Sequence, residues 1–121
     1  MSLAVRVIPT MLVRGEHLVK GRQFQSWRVV GHAMQAARIH ASRAVDELIM
    51  LDISATPEGR GPNLALIEKL SEFCHTPLTY GGGVRSPEDV YQVLRAGADK
   101  VAIGTAAYEV PDMIYDCAEH F

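Results

Sequence analysis

Short apolar runs alternate along this chain with stretches in which apolar residues recur every three or four positions. The run LAVRVIPT (Leu3–Thr10) is β-branched and closed by Pro9, as suits a buried strand. EHLVKGRQF leaves a small hairpin or an irregular loop open. From about His32 to Arg43, Ala, Met and Ile fall at helical spacing and predict a first helix. DELIMLDIS (Asp46–Ser54) reads as a second strand, apolar throughout, as if covered on both faces. A loop, Ala55–Pro62, follows. Asn63 then caps the helix LALIEKLSEFC. TPLTY predicts a third strand with Pro77 near its start, where proline is tolerated. Ser86, Pro87, Glu88 and Asp89 make a helix opening: a capping hydroxyl, proline in the first turn, then acids. That helix stops at Gly97. DKVAIG (Asp99–Gly104) is a fourth strand, and a last helix starts at Pro111.

Four βα units with short connections predict parallel strands. The expected fold is therefore α/β: a single domain over residues 1–121, a (βα)4 half of a TIM-type (β/α)8 barrel. AVDELIMLDISA (Ala44–Ala55) and AGADKVAIGTAA (Ala96–Ala107) form a faint internal repeat.

The triplet Gly81–Gly82–Gly83 falls in a loop that follows a strand and precedes a helix, where parallel barrels carry their functional groups. Without Cβ atoms, its amides can approach an oxyanion. The following helix start adds unpaired N–H groups and a partial positive charge. The loop GTAA (Gly104–Ala107) would sit beside it, with small residues and the Thr105 hydroxyl. Gly82, Gly83, Gly104 and Thr105 are thus the expected phosphate site. A tight turn alone is the simpler use of the triplet. Neither G-x-G-x-x-G nor a Walker loop is present.

Composition narrows the classes. The 121 residues carry a formal charge of −2, which gives no electrostatic case for nucleic acid or an anionic membrane. No apolar run approaches the roughly 20 residues of a membrane span. The N-terminus lacks a signal pattern, so a cytoplasmic protein is expected. Cys74 and Cys117 lie far apart, each expected inside a helix as a reduced, packed thiol. The five histidines show no metal-ligand spacing, and neither a metal nor a cofactor is expected.

The stretches RVIPT, LVKG, VDELIMLDISA, EGR, PLTYGGGVRSPEDV and LRAGADKVAIGTAA together resemble the cyclase subunit of imidazole glycerol phosphate synthase, of histidine biosynthesis. The resemblance runs over essentially the whole chain and covers the N-terminal half of that family's barrel. It implies a lyase-type cyclase that takes ammonia from a glutaminase partner through the barrel. With it, a bis-phosphorylated ribonucleotide becomes imidazole glycerol phosphate and an aminoimidazole carboxamide ribotide. Residue by residue, it puts the first phosphate site on Gly83 and its neighbours with Gly104 and Thr105. Gly104 stands where the family usually has Asn. Lys20 matches a lysine near the active site, and Asp52 an acid ending the second strand. Arg6, Glu47 and Lys100 match charged residues ringing the gate through which ammonia enters. Such a ring also makes physical sense by itself: charges beside apolar strands are costly unless paired, and Arg6 and Lys100 against Glu47 is a workable pairing.

Leu12 departs from the pattern. It occupies the place of the family's catalytic aspartate, and leucine transfers no proton. Leucine here, with EGRGPN and YGGGV, is similar to a paralogous branch that acts beside a glutaminase-like amidotransferase. That branch helps turn an N-acetyl group on a surface sugar into an acetamidino group. The alternative is a non-catalytic phosphate-binding half-barrel or an inactive fragment.

Trp27 and Phe24 are expected to pack on the barrel top or cover the substrate mouth, and Tyr80 to fill that mouth. Arg60 and Arg85 point to the substrate face or to solvent. A half-barrel that is the natural chain leaves open edges and an apolar inward face, so a homodimer or higher assembly is expected. The alternative is a piece of a barrel of about 250 residues.

Overall fold

The computed structural model describes residues 5–22, 25–109 and 111–121. One six-stranded sheet has the order β3-β2-β1-β4-β5-β6, formed by β1 (Thr10–Arg14), β2 (His17–Arg22), β3 (Gln25–His32), β4 (Leu48–Asp52), β5 (Leu78–Gly81) and β6 (Lys100–Ala102). β1, β4, β5 and β6 are parallel, while β2 and β3 are an antiparallel hairpin appended to β1. Between the two sequence alternatives for EHLVKGRQF, the chain takes the hairpin. The first βα connection is therefore not short, and the sheet is mixed rather than wholly parallel. The alternating order of strands and helices is that of half a TIM-type barrel, as expected.

The first strand begins later than the apolar run implied. Residues 5–9 lie alongside β4 without forming a regular strand: Asp46 N–H donates to the Val7 carbonyl and Ile49 N–H to the Pro9 carbonyl. Pro9 has no N–H to return, so regular pairing starts at Thr10.

Helices α1 (Ala33–Ser42), α2 (Leu64–Phe73), α3 (Pro87–Ala96), α4 (Thr105–Glu109) and α5 (Asp112–His120) complete the chain. The caps fall where the sequence put them. Asn63 Oδ1 accepts the Leu66 N–H and Ser86 Oγ the Asp89 N–H, each at 3.2 Å. Cys74 is the residue capping the end of α2 rather than one inside it, whereas Cys117 is buried in α5; both are free thiols. The short helix α4 replaces the loop expected after Gly104.

One face of the sheet is covered. Met11, Val13, Leu48, Met50, Leu78 and Tyr80 meet Ala33 and Ala37 of α1, Leu66, Ile67 and Leu70 of α2, Val90 and Val93 of α3, and Met113 of α5. Each fully buried aliphatic side chain contributes about 1.5–3 kcal/mol. β4 was expected to be covered on both faces, but its burial alternates: Leu48, Met50 and Asp52 are buried, Ile49 and Leu51 only half-buried. The register places Leu12, Leu51, Gly81 and Ala102 in one row on that second face, with Thr10, Ile49, Thr79 and Lys100 in the row below. These rows correspond to the inward face of a barrel. No helix among the described residues is long and apolar enough to cross a membrane.

Candidate functional site

The loops leaving β5 and β6 enclose a cleft of about 530 Å3 at the C-terminal ends of the parallel strands. Gly81, Gly82, Gly83, Val84 and Arg85 form one wall. Ile103, Gly104, Ala106 and Glu109 form another, and Leu51, Asp52 and Thr56 come from β4 and the loop after it. Parallel strands bring their C-terminal ends to the same edge, so loops far apart in sequence converge here.

The glycine triplet is a packing requirement as well as an opening. A Cβ on Gly82 would lie 2.7 Å from the Asp52 carbonyl oxygen, and one on Gly83 would lie 2.5 Å from that of Arg60. Both residues also hold positive φ, 127° and 73°. The loop thus lies directly against the backbone of the β4–α2 connection, and the tight-turn reading holds in part. Gly104 differs: nothing lies within 4 Å of where its Cβ would be, so its lack of a side chain leaves space.

The start of α3 offers fewer donors than the sequence implied. Ser86 takes the Asp89 amide, and the Asp89 carboxylate takes the Arg85 amide at 3.0 Å. In α4, Ala107 is the residue whose amide reaches the Gly104 carbonyl, so the helix geometry leaves the preceding amides of Thr105 and Ala106 without a helical acceptor. Of Thr105 only the backbone is described, and the expectation for its hydroxyl lies outside the described atoms.

Asp52 ends β4 with its side chain wholly withdrawn from solvent. Its Oδ1 accepts the Ser54 N–H at 2.9 Å and the Ser54 hydroxyl at 2.8 Å. Its Oδ2 has no hydrogen-bond partner, and the nearest cation, Arg60 Nη2, stays 3.6 Å away. That nitrogen donates instead to Ser54 Oγ at 2.7 Å, and Arg60 Nε donates to Glu58 at 2.6 Å. The bond to Glu58, followed by the charge of Asp52, raises the guanidinium pKa against the opposing effect of burial. Tyr80 is fully buried beneath the cleft rather than filling its mouth. Its hydroxyl accepts the Asn63 N–H at 3.0 Å, tying the start of α2 to the sheet. Burial pushes the phenol up to about 12.

At the opposite end of the strands, Glu47 Oε1 accepts from Arg6 Nη2 at 2.8 Å and from Lys100 Nζ at 3.2 Å. The glutamate side chain is 13% exposed and the two cations 59% and 63%. Bonds from Lys100 and then Arg6 hold its carboxyl below the usual range.

The structure therefore brings Asp52, Gly82, Gly83 and Gly104 to one cleft, and Arg6, Glu47 and Lys100 to one cluster at the other end. Lys20 stands exposed on the β2 hairpin and does not line the cleft. Leu12 is half-buried on the inward face, opposite Leu51. Arg85 lines the cleft, whereas Arg60 turns to Ser54 and Glu58. Phe24 lies outside the described residues, as does the Trp27 side chain. Sequence reasoning missed Ser54, Thr56 and Glu109. Ser54 had a signal, since an Asp two residues before a Ser commonly closes on its amide; the other two had none. Among the described residues, no three His, Cys, Asp or Glu side chains come together as a metal site.

A family profile described as "Histidine biosynthesis protein" matches residues 6–121. The imidazole glycerol phosphate synthase subunit HisF of Streptomyces griseus is 46% identical over 121 residues, all of this chain and 48% of that protein. The same-named subunit of Dictyoglomus thermophilum is 44% identical over 119 residues, covering 98% of this chain and 47% of that protein. That of Corynebacterium diphtheriae is 41% identical over 121 residues, covering 100% and 47%. The chain spans about half the length of these curated relatives.

Proposed function

From its membership of the histidine biosynthesis protein family, to which this chain belongs, we propose that it is the phosphate-gripping half of a cyclase-like barrel. In this reading it works with a glutaminase partner whose ammonia is spent on a phosphorylated small molecule. The observation that carries the reading is the cleft itself, where two loops with little side-chain bulk face each other at the C-terminal edge of parallel strands. Gly82, Gly83, Gly104 and Thr105 supply main-chain donors to one phosphate group, and Arg85 adds a charged donor. Ammonia enters at the other end, past Arg6, Glu47 and Lys100. The two cations share one carboxylate oxygen, an arrangement that opens when either side chain turns to solvent. Two free thiols accord with a cytoplasmic location.

Leu12 decides between cyclisation and the paralogous amidotransferase chemistry. Leu12 lies opposite Leu51, a residue of the cleft wall, and leucine neither gives nor takes a proton. The reading therefore keeps phosphate binding and ammonia delivery, and places acid–base work on Asp52 or on residues outside this chain. Leu12 also favours a second reading, a half-barrel that binds phosphate without turnover. Ammonia-dependent turnover of the bis-phosphorylated ribonucleotide, run with Leu12→Asp alongside, separates them. Activity only in the variant supports a disabled cyclase site, and wild-type activity overturns the role given to Leu12. Crystals soaked in phosphate test the common element; ordered loops with no ion near Gly83 and Gly104 would remove it.

A further inference from the structure

We propose that the base of the β2–β3 hairpin is a proton-operated latch, closed while His32 and His17 are neutral and released when they take up protons.

His32 joins the hairpin to α1 and serves both. Its backbone is extended, and its Nδ1 accepts the Met34 N–H at 3.3 Å, which caps the helix. The neighbouring Ala33 N–H donates to the Glu16 carbonyl at 2.9 Å, so the β1–β2 turn holds the same helix start. An imidazole nitrogen accepts a hydrogen bond only while it carries no proton. Capping therefore fixes the neutral ring with its proton on Nε2, the nitrogen 3.8 Å from Glu16 Oε2. A second proton turns Nδ1 into a donor that faces the Met34 N–H and the positive end of the helix. The cap is then lost. Asn63 and Ser86 cap α2 and α3 with groups that do not titrate, so among these three helices the sensitivity belongs to α1.

The register adds a second penalty. Arg14 of β1 lies opposite His17, and His17 lies opposite His32, so three basic side chains form one row across three strands. The two imidazole rings meet edge to face, their centroids 6.3 Å apart. Like charges placed directly opposite weaken a strand pair. With neutral rings the row carries the charge of Arg14 alone; with protonated rings it carries three. Glu16 is the acid beside the row, and its Oε1 already accepts from Lys69 Nζ of α2 at 3.0 Å. That bond and the Lys69 charge, against the opposing effect of burial and ahead of the charges of His32 and His17, hold the Glu16 carboxyl below its usual range. It stays ionised where histidines titrate, and it receives the His32 ring that leaves the cap. The charged groups around His32 are thus Glu16 on the turn, His17 on β2, Arg14 beyond it on β1, and Lys69 of α2 acting through Glu16. Arg14 ends β1 at the sheet edge where β4, β5 and β6 also end, so the latch lies on the side of the molecule that carries the cleft.

NMR of the 121-residue chain from about pH 8 to pH 5, the range in which histidine changes charge, tests this. The ring nitrogens of His32 report its tautomer and its protonation, and the Met34 amide reports the cap. The Asp89 amide, held by the Ser86 hydroxyl at the start of α3, is the internal control. At the alkaline end the His32 ring is expected as the Nε2–H tautomer. As the ring takes a proton, the Met34 amide should move to its unbonded shift. The population with an open first turn of α1 should rise about fivefold, as loss of a cap provides, while Asp89 holds still. His32→Asn keeps an acceptor over Met34 with nothing to protonate, so its Met34 amide should stay constant across the range. His17→Asn should lessen the acid loss of β2–β3 pairing and leave the Met34 change in place. A wild-type Met34 amide that ignores protonation of the His32 ring overturns the latch. So does a Met34 change that His32→Asn retains, or one that Asp89 shares in equal measure, since acid would then loosen the fold at large. The comparison of Met34 with Asp89 in the wild type decides the matter even where a variant does not fold.

Discussion

Asp99 and Leu78 exchange two hydrogen bonds: the Asp99 N–H donates to the Leu78 carbonyl at 2.8 Å, and the Leu78 N–H donates to Asp99 Oδ2 at 2.9 Å. Asp46 does the same with Val7, at 3.0 Å and 2.6 Å. These aspartates occupy the same place in the two repeated segments, just before β4 and β6. The repeat therefore records a device: a carboxylate that fixes the start of one strand to the strand before it. Replacing Asp99 with Ala should cost about 1–3 kcal/mol, because the Leu78 amide loses its charged acceptor. Urea unfolding measures it. A loss within about 0.5 kcal/mol, the usual surface effect, would mean that water replaces the carboxylate freely.

The two glycine loops should respond differently to alanine. Gly83→Ala meets a left-handed backbone, worth about 1–2 kcal/mol, and a carbonyl 2.5 Å from the new carbon. Gly104→Ala meets open space and should stay within about 0.5 kcal/mol of wild type. Thermal unfolding of the two variants side by side gives the comparison, and equal losses would contradict the packing described.

Much of this was legible in the residues. The Asn63 and Ser86 caps and the stop at Gly97 depend on local chemistry that the sequence displays, whereas the pairing of Arg6 and Lys100 with Glu47, 41 and 53 residues apart, was expected from the resemblance and from the cost of unpaired charge. The start of β1 was not legible, since apolarity marks burial and says nothing of the N–H that Pro9 lacks. The hairpin stayed ambiguous because its polar and apolar residues fit a strand or a loop. Lys20 was placed near the active site by resemblance; it stands exposed on the hairpin and is not among the residues lining the cleft. The uncovered side of β4 was invisible because Ile49 and Leu51 are apolar whichever elements cover them. In the cleft, Asp52 and the glycines could be read, but the Arg60–Ser54 bond depends on how a loop folds back.

Acid should weaken the charged cluster in a definite window. Lys100 and Arg6 hold the Glu47 carboxyl below its ordinary value of 4.5, so the stabilisation is complete above that pH. It is lost as pH falls through the lowered folded-state value. Glu47→Gln should therefore flatten part of the fall in stability below about pH 4.5, most visibly at low salt, since the cations are exposed. Parallel acid unfolding curves for variant and wild type would count against the pairing.

Tyr80 sets a limit on the alkaline side. Burial raises its phenol from 10.0 to about 12, so the unfolded chain releases this proton first as pH rises. Stability from this group is complete below pH 10 and declines toward pH 12. Tyr80→Phe should remove that decline and cost about 1 kcal/mol at neutral pH, because the Asn63 amide loses its acceptor. Denaturant unfolding at neutral and alkaline pH separates the two effects.

The inward face should govern association of the 121-residue chain. Leu12, Leu51 and Ala102 are half-buried and share one row of the sheet, while the opposite face of the same strands is packed. A second copy placed face to face would bury this row, as the other half of a barrel would. Light scattering after size exclusion is expected to give at least twice the chain mass. Leu51→Lys should shift it toward monomer, because a charge in that row resists desolvation, with little loss of fold since the site is only half-buried in the monomer. A wild-type chain that runs as a well-folded monomer at high concentration would show that this face tolerates water, and the case for a two-copy barrel would fall with it.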